Sequence, residues 1–317
     1  MTKLLVLLAM PEAVRNQYRD RMRARFPELT VDLVDHHSKA PPHIADADAL
    51  LTFAPMLSDH VLQAGKRLKW VQALGTGVDN LIDRPCLSKD VIVTNVHGIH
   101  GAPVSEAAIA AMLALARDLP RAVRSQAKRQ WQRFPAKLLH EKSVGIFGVG
   151  AIAEVLAPKC KALGMRVIGI SSVPRQLPGF DAMHASTELA AVAGEFDFFV
   201  LLTPLTERTR NSINAAVLGA MKPTSFLVNL ARGGVVDETA LLAALRERGI
   251  AGAALDVFVE EPLPAEHPFW GMDNVIITTH QGGFCDVYID HAWPTIETNM
   301  ERFLKDDIGG MINVVPH

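Results

Sequence analysis

The chain has 317 residues, a net charge of −2, a pI near 6.6 and 49% hydrophobic residues, enough apolar material for two domains of ordinary size. It carries no basic stripe, which argues against nucleic acid as a partner; the arginine-rich stretches 15–25 and 121–133 have helical spacing and read as solvated faces. Three cysteines, Cys86, Cys160 and Cys285, lack CxxC spacing, so a reducing, cytoplasmic setting is expected rather than a disulfide framework.

The opening Lys3–Met10 is apolar but too short to span a membrane, and it lacks a small-residue cleavage pattern. It predicts a first strand over Leu4–Ala9. Pro11 then introduces a polar-faced helix, Glu12–Phe26. Further strands are expected at Thr30–Val34, Ala49–Phe53, Lys69–Ala73 and Val91–Thr94, with a helix over Leu57–Ala64. This alternation predicts a parallel sheet with helices on both faces. After the strand ending at Ala73, the turn Gly75–Asn80 reads equally as an anion-binding nest of backbone N–H groups or as an ordinary turn capped by Asp79. His97 and His100 lie three apart with too few neighbouring ligands for a metal, and none is expected. Pro103–Leu119 predicts a long helix that is apolar nearly all round, buried in a core or against a second subunit; the dimer contact is the favoured reading.

The most specific signal lies in mid-chain. Ser143–Phe147 reads as a short buried strand, followed by Gly148, Gly150 and Ala153 in the spacing G-x-G-x-x-A and then a helix. This is a dinucleotide-binding fingerprint: a tight turn, a close backbone approach to pyrophosphate, and close helix–strand packing. The helix N-terminus offers N–H groups to the phosphates. Leu163–Gly164 ends that helix and Met165–Ile170 is a second strand, completing a βαβ unit. Strands follow at Phe196–Leu202, Ser225–Leu230, Gly252–Val257 and Val275–Thr279. A helix over 237–248 is capped by Asp237, has Arg246 and Arg248 in its last turn, and is ended by Gly249. The tail holds a helix, Ile289–Leu304, and a strand-like end. It is too short for a domain and is expected to return to the first one. The domains expected are therefore 1–98 with 286–317, and 99–285, the latter inserted into the former.

Arg232, Glu261 and His280 each follow a strand of the second domain, within two residues of glycine or proline. In a parallel sheet such strand ends converge on the ligand crevice. Arginine can hold a carboxylate, histidine can transfer a proton near neutral pH, and glutamate can support the histidine's charged form.

These segments resemble the D-isomer-specific 2-hydroxyacid dehydrogenases, over nearly the full length from GTGVDN at Gly75 to THQGG at Thr279. The series includes GVGAIA, PLTERT at Pro204, NLARGGVVD at Asn229 and LDVFVEEP at Leu255. The resemblance implies a Rossmann cofactor domain inserted into a flavodoxin-like substrate domain, both doubly wound α/β parallel sheets, and a homodimer. It implies catalytic roles for Arg232, Glu261 and His280, and substrate carboxylate binding by the backbone at Thr76 and Gly77, with Arg232 also on the substrate. Cofactor contacts are expected from Gly148, Gly150, Ala151 and Ile152 in the turn, and from Ser171, Ser172 and Arg175 after the next strand. Thr203, Pro204, Thr209, Leu230, Ala231, Asp256 and Gly282, at later strand ends, complete that set. The implied reaction moves a hydride between nicotinamide C4 and substrate C2, with closure of a cleft around it.

Two departures stand out. Thr278-Thr279-His280 replaces the family's usual Thr-Pro-His and keeps the histidine. The strand ending at Ser171 lacks the acid that NAD-specific members use on the ribose 2′-OH. Two hydroxyls and Arg175 suit a 2′-phosphate, so NADP is favoured, with NAD as the alternative. The expected substrate is a small 2-oxo acid such as glyoxylate or hydroxypyruvate, its side chain selected by loops such as Phe53–Met56, His97–Ala102 and the segment around His291–Trp293. Because the sequence stops soon after its last helix, the regulatory domain of some phosphoglycerate dehydrogenases is not expected. Alternative readings are a formate or phosphite dehydrogenase relative, and a nucleotide-sensing protein like the corepressors of similar fold.

Overall fold

The computed structural model describes residues 1–54, 57–78 and 81–317. It divides into two compact units, 1–99 with 286–317, and 100–285. In the first unit, strands β1 (Lys3–Leu7), β2 (Thr30–Val34), β3 (Ala49–Thr52), β4 (Trp70–Ala73) and β5 (Ile92–Thr94) alternate with helices α1 (Glu12–Arg25), α2 (Pro41–Ile44) and α3 (Asp59–Ala64). The second unit opens with helices α4 (Gly101–Ala116) and α5 (Leu119–Ala127). It continues through β6 (Ser143–Phe147), α6 (Ala151–Ala162), β7 (Arg166–Ser171), β8 (Ala182–Ala185), α7 (Leu189–Val192) and β9 (Phe198–Leu201). Helix α8 (Ala215–Ala220), β10 (Phe226–Asn229), α9 (Glu238–Arg246), β11 (Gly252–Leu255) and β12 (Val275–Ile277) complete it. Helix α10 (Tyr288–Leu304) belongs again to the first unit.

The first sheet runs in the order β2-β1-β3-β4-β5, all parallel, the flavodoxin-like doubly wound order. Strands β3 and β4 are buried at every residue, which is why ALLT and WVQA show no polar alternation. The tail is tied to this sheet by a buried polar seam. The Trp70 indole N–H donates to Thr94 Oγ1 at 2.9 Å, and Thr94 donates to Gln72 Oε1 at 2.9 Å. From α10, Asn299 donates to the same Gln72 oxygen at 3.0 Å and to the Ile312 carbonyl at 3.1 Å, while its own oxygen accepts from the Ile312 N–H. Gln72, Thr94 and Asn299 are all fully buried, so each contact replaces one with water.

The second sheet has seven parallel strands in the order β12-β11-β10-β9-β6-β7-β8. Counted from β6, this is the Rossmann order extended by one strand, with the switch point between β6 and β9. No helix among the described residues is long and apolar enough to cross a membrane.

Several local expectations are corrected. The helix expected over Pro103–Leu119 begins at Gly101 and breaks after Ala116. Asp118 takes a left-handed conformation (φ 49°), a position that aspartate tolerates, and Pro120 falls in the first turn of α5. One face of α4 (Ala108, Met112, Leu115, Ala116) is buried within its own unit, against Ala153, Leu156 and Ala157 of α6. The arginine-rich stretch 121–133 is helical only through Ala127. Helix α9 ends at Arg246, and Arg248 rather than Gly249 adopts the positive φ (55°) while the Gly249 N–H reaches back to the Ala244 carbonyl. The strand-like end of the chain is a single antiparallel bridge, Thr94 to Val314.

Candidate active site

The C-terminal edge of the second sheet gathers the sequence motifs. Gly148 sits at the switch point with φ 98°; a Cβ there would lie 2.5 Å from the Thr203 backbone nitrogen. Only glycine satisfies both the dihedral and the close approach of the β6 and β9 ends. Gly150 is extended and is the N-terminal cap residue of α6, and a Cβ on it would meet nothing within 4 Å. The space over this turn is open, while Ala153 behind it is fully buried against the sheet. An open face over a helix N-terminus whose cap residue has no side chain suits a pyrophosphate.

At the end of β7, the Ser171 hydroxyl is buried and without a hydrogen-bond partner, the kind of orphan that a ribose or its 2′-substituent would satisfy. Ser172 is exposed. Arg175 pairs with Glu154, in the first turn of α6, at 3.2 Å; the side chains are 61% and 48% exposed. Such a pair is worth less than about 1 kcal/mol and exchanges readily for a stronger anion. After β9, Thr203 is buried and the Thr209 hydroxyl donates to the Pro204 carbonyl at 2.6 Å, closing the loop on itself. The residues present therefore fit a dinucleotide.

The three candidate catalytic side chains come from adjacent strand ends. Asn229, the last residue of β10, is buried; its oxygen accepts from the Ala231 N–H at 3.1 Å and its amide donates to the Arg232 carbonyl at 3.2 Å. Leu230 and Ala231 thus lie in a turn pinned on both sides, and the Arg232 guanidinium donates to the Ala231 carbonyl at 2.7 Å. Next to it, Gly233 presses against the Glu261 loop: a Cβ would lie 1.9 Å from the Phe258 carbonyl carbon. In that loop, Glu261 Oε1 accepts from the Phe258 N–H at 2.9 Å, and Oε2 is 2.7 Å from His280 Nδ1. Burial opposes ionisation of the Glu261 carboxyl, but the hydrogen bond and charge of His280, the Phe258 N–H and the Arg232 charge outweigh it. The pKa is held below the ordinary glutamate value. An ionised Glu261 accepts, so Nδ1 of His280 carries the hydrogen and Nε2 is directed elsewhere.

His280 itself has φ 51°, and its N–H donates to the Asp256 carbonyl at 2.7 Å. The buried Asp256 carboxylate accepts from the Thr278 hydroxyl, the Gln281 N–H at 3.0 Å and the Gly282 N–H at 2.8 Å. A Cβ on Gly282 would lie 2.9 Å from that carboxylate. Asp256 is thus committed to building the histidine turn. Neither this role nor that of Asn229 was foreseen; the signal for both is a polar residue at or just beyond the end of an apolar strand, in FLVN and GAALD.

In the first unit, the Thr76 hydroxyl donates to the Val96 carbonyl at 3.0 Å, and Asn95 donates to the Thr76 carbonyl at 2.7 Å, fixing the turn after β4. Asp79, the cap in one of the two readings of the Gly75–Asn80 turn, lies outside the described residues, as do Asn80 and the Pro55–Met56 end of the 53–56 loop. His100 packs against Gly283, where a Cβ would lie 2.8 Å from the ring; no metal-binding cluster of His, Cys, Asp and Glu is found among the described residues.

A family model described as "D-isomer specific 2-hydroxyacid dehydrogenase, NAD binding domain" matches residues 109–282. A D-3-phosphoglycerate dehydrogenase of Methanocaldococcus jannaschii is 32% identical over 278 residues, 86% of this chain but 53% of that protein, so the chain spans about half the length of that relative. A glyoxylate reductase of Pyrococcus furiosus is 32% identical over 290 residues, covering 88% of this chain and 85% of its own. The crystal structure of a D-isomer specific 2-hydroxyacid dehydrogenase from Xanthobacter autotrophicus Py2, in complex with NADPH and MES, is 30% identical with a TM-score of 0.78, covering 99% and 98% of the two chains. The fingerprint turn, the strand-end set and these likenesses agree: the chain belongs to the D-isomer-specific 2-hydroxyacid dehydrogenase family, whose members are oxidoreductases acting on CH–OH groups with NAD(P).

Proposed function

We propose that this protein reduces a small 2-oxo acid of the glyoxylate or hydroxypyruvate class, with NADP preferred over NAD. The observation that carries the reading is the 2.7 Å contact between His280 Nδ1 and Glu261 Oε2, beside Arg232 at the C-terminal edge of a Rossmann sheet. The cofactor, when bound at the glycine turn, supplies the hydride. His280, its Nδ1–H engaged by Glu261, gives a proton from Nε2 to the substrate's carbonyl oxygen. Glu261, held ionised, stabilises the imidazolium before transfer and fixes the ring's orientation. Arg232 holds the substrate carboxylate and stabilises charge developing on the carbonyl oxygen. The backbone of Thr76 and Gly77 is the further carboxylate contact. In this reading the unit 100–285 is the cofactor domain and the unit 1–99 with 286–317 the substrate domain.

The NADP preference rests on the missing acid after β7, on the orphaned Ser171 hydroxyl and on Arg175, whose present partner is exposed. The Xanthobacter relative's NADPH supports it. A homodimer through the exposed side of α4 is part of the same proposal; Leu113 is 37% exposed there. The test is cofactor oxidation at 340 nm with a panel of 2-oxo acids, with NADPH and NADH in parallel. Turnover of glyoxylate or hydroxypyruvate with NADPH ahead of NADH is expected. Tight cofactor binding without turnover on any acid would replace the reading with a nucleotide sensor, and a clear NADH preference would overturn the cofactor assignment.

A further inference from the structure

A second histidine–carboxylate pair lies behind the first. Glu238, in the first turn of α9, has Oε1 3.2 Å from His267 Nε2, and its Oε2 accepts from the Val259 N–H at 3.4 Å. His267 Nδ1 accepts from the Phe269 N–H at 3.3 Å, so Nε2 carries the ring's hydrogen and donates to Glu238. Both donors to Glu238 belong to the loop that carries Glu261. Val259 follows Phe258, whose N–H holds Glu261 Oε1. The buried Phe269 ring packs 4.7 Å from His267 and 6.4 Å from Phe258, centroid to centroid, bracing the same turn from within. Among the described residues neither Glu238 nor His267 is hydrogen-bonded or ion-paired to Glu261 or His280, and nothing in the proposed reaction uses them.

We propose that Glu238 and His267 are positioning residues: together they clamp the turn at 258–259 to α9 and so set the direction in which Glu261 presents its free oxygen to His280. The inference rests on the reading of Glu261 and His280 as the proton-donating pair. Its physical content is a chain of three hydrogen bonds, His267 to Glu238, Val259 N–H to Glu238, and Phe258 N–H to Glu261. If the clamp opens, the carboxylate keeps its charge but loses its anchor, and the imidazole is no longer held in one tautomer. A displacement of about 1 Å at such a site costs roughly a hundredfold in rate, while substrate and cofactor contacts elsewhere are untouched.

Glu238→Gln tests this without a cavity. Both partners of the carboxylate are donors, so an amide must set one N–H against another and one bond is lost. His267→Asn keeps an oxygen able to accept from the Phe269 N–H but cannot reach Glu238. With glyoxylate and NADPH as probes, each variant is expected to lose roughly tenfold to a hundredfold in kcat, with KM for both within about twofold. The double variant is expected to lose no more than the worse single, because one clamp is broken once. In 15N-histidine-labelled protein without substrate, the His280 Nδ1–H resonance, assigned by its loss in His280→Gln, is expected to shift or broaden in both single variants. Unchanged kcat and an unmoved resonance, in a protein that Glu261→Gln still inactivates, would overturn the clamp. Full turnover in Glu261→Gln and His280→Ala would overturn the catalytic reading instead. The resonance alone would then decide the clamp: moved in its favour, unmoved against it.

Discussion

Gly233→Ala puts the contact between the Arg232 and Glu261 loops under direct strain. The added Cβ would stand 1.9 Å from the Phe258 carbonyl carbon, 2.1 Å from its oxygen and 2.3 Å from the Val259 nitrogen. All three are backbone atoms, so no side chain can swing away. To reach ordinary carbon–carbon contact the methyl must retreat by roughly 2 Å, and the two loops must part by a comparable amount. Overpacking of this kind costs about 1–3 kcal/mol, a fall of roughly 2–12 °C in the melting midpoint of a domain this size. The φ of Gly233 is not positive, so the whole effect is steric. Because the parting loops carry Arg232 and Glu261, kcat is expected to fall roughly a hundredfold or more. Cofactor affinity, which the proposed function assigns to Gly148–Ile152 and the β7 end, is expected to stay within about twofold. The assay is steady-state kinetics with a 2-oxo acid, NADPH titration by fluorescence, and thermal unfolding. An alanine variant with wild-type kcat and midpoint would refute the view that these loops are locked backbone to backbone.

The other expectations separate the parts of the site. Gly150→Ala, whose methyl meets nothing within 4 Å at an ordinary φ, should leave the thermal midpoint of the cofactor-free protein unchanged and weaken NADPH binding at least tenfold; a midpoint fall with unaltered affinity would show that the turn is structural only. His280→Ala should lose at least about a hundredfold in kcat, as the removal of a general acid does, and a near-wild-type rate would end that assignment. Arg175→Ala should weaken NADPH about tenfold and leave NADH unaffected, the scale of one charged hydrogen bond on an exposed site; equal effects on both would place Arg175 outside the 2′ position. Asp197→Asn probes pH dependence at the opposite edge of the sheet. Burial of Asp197 opposes its ionisation, but the Ser143 N–H and hydroxyl and the Lys222 ammonium, 3.0 Å away, outweigh it and hold its pKa below the ordinary 3.8. A depressed pKa contributes stability that is complete above 3.8 and is lost as pH falls through the native value. The variant should therefore be less stable than wild type at pH 7, by urea unfolding, and the gap should close as pH falls through the native value. A gap that persists below that value would show that charge is not its source.

Much of this was legible in the sequence because it is written in local rules. The strand Ser143–Phe147 with its glycine turn can be read from spacing, since φ 98° and a backbone approach at Gly148 admit no other residue. Arg232, Glu261 and His280 stood out because each follows an apolar strand, and the C-terminal ends of parallel strands share one edge of the sheet. What stayed hidden depends on partners distant in sequence. Strand β8, Ala182–Ala185, is half-buried throughout and carries no alternation, so only its pairing with β7 defines it. The part Asp256 plays in holding the turn at 278–282 was hidden, because its donors Thr278, Gln281 and Gly282 lie more than twenty residues away. The end of α9 was misplaced because glycine is the usual left-handed residue, yet here Arg248 takes that conformation one residue earlier.

The buried seam of the first unit has a consequence for biosynthesis. Gln72 is translated 227 residues before Asn299, whose amide, with the backbone of Ile312, completes the network. Residues 100–285 are contiguous and hold their own core, so they emerge with every partner already present. The N-terminal strands instead wait through the synthesis of an entire neighbouring domain, with the face that α10 will cover still wet. The strands before the inserted unit thus reach their native hydrogen bonding only after residues 100–285 have been made, and chaperone protection is expected to matter more for them than for that unit.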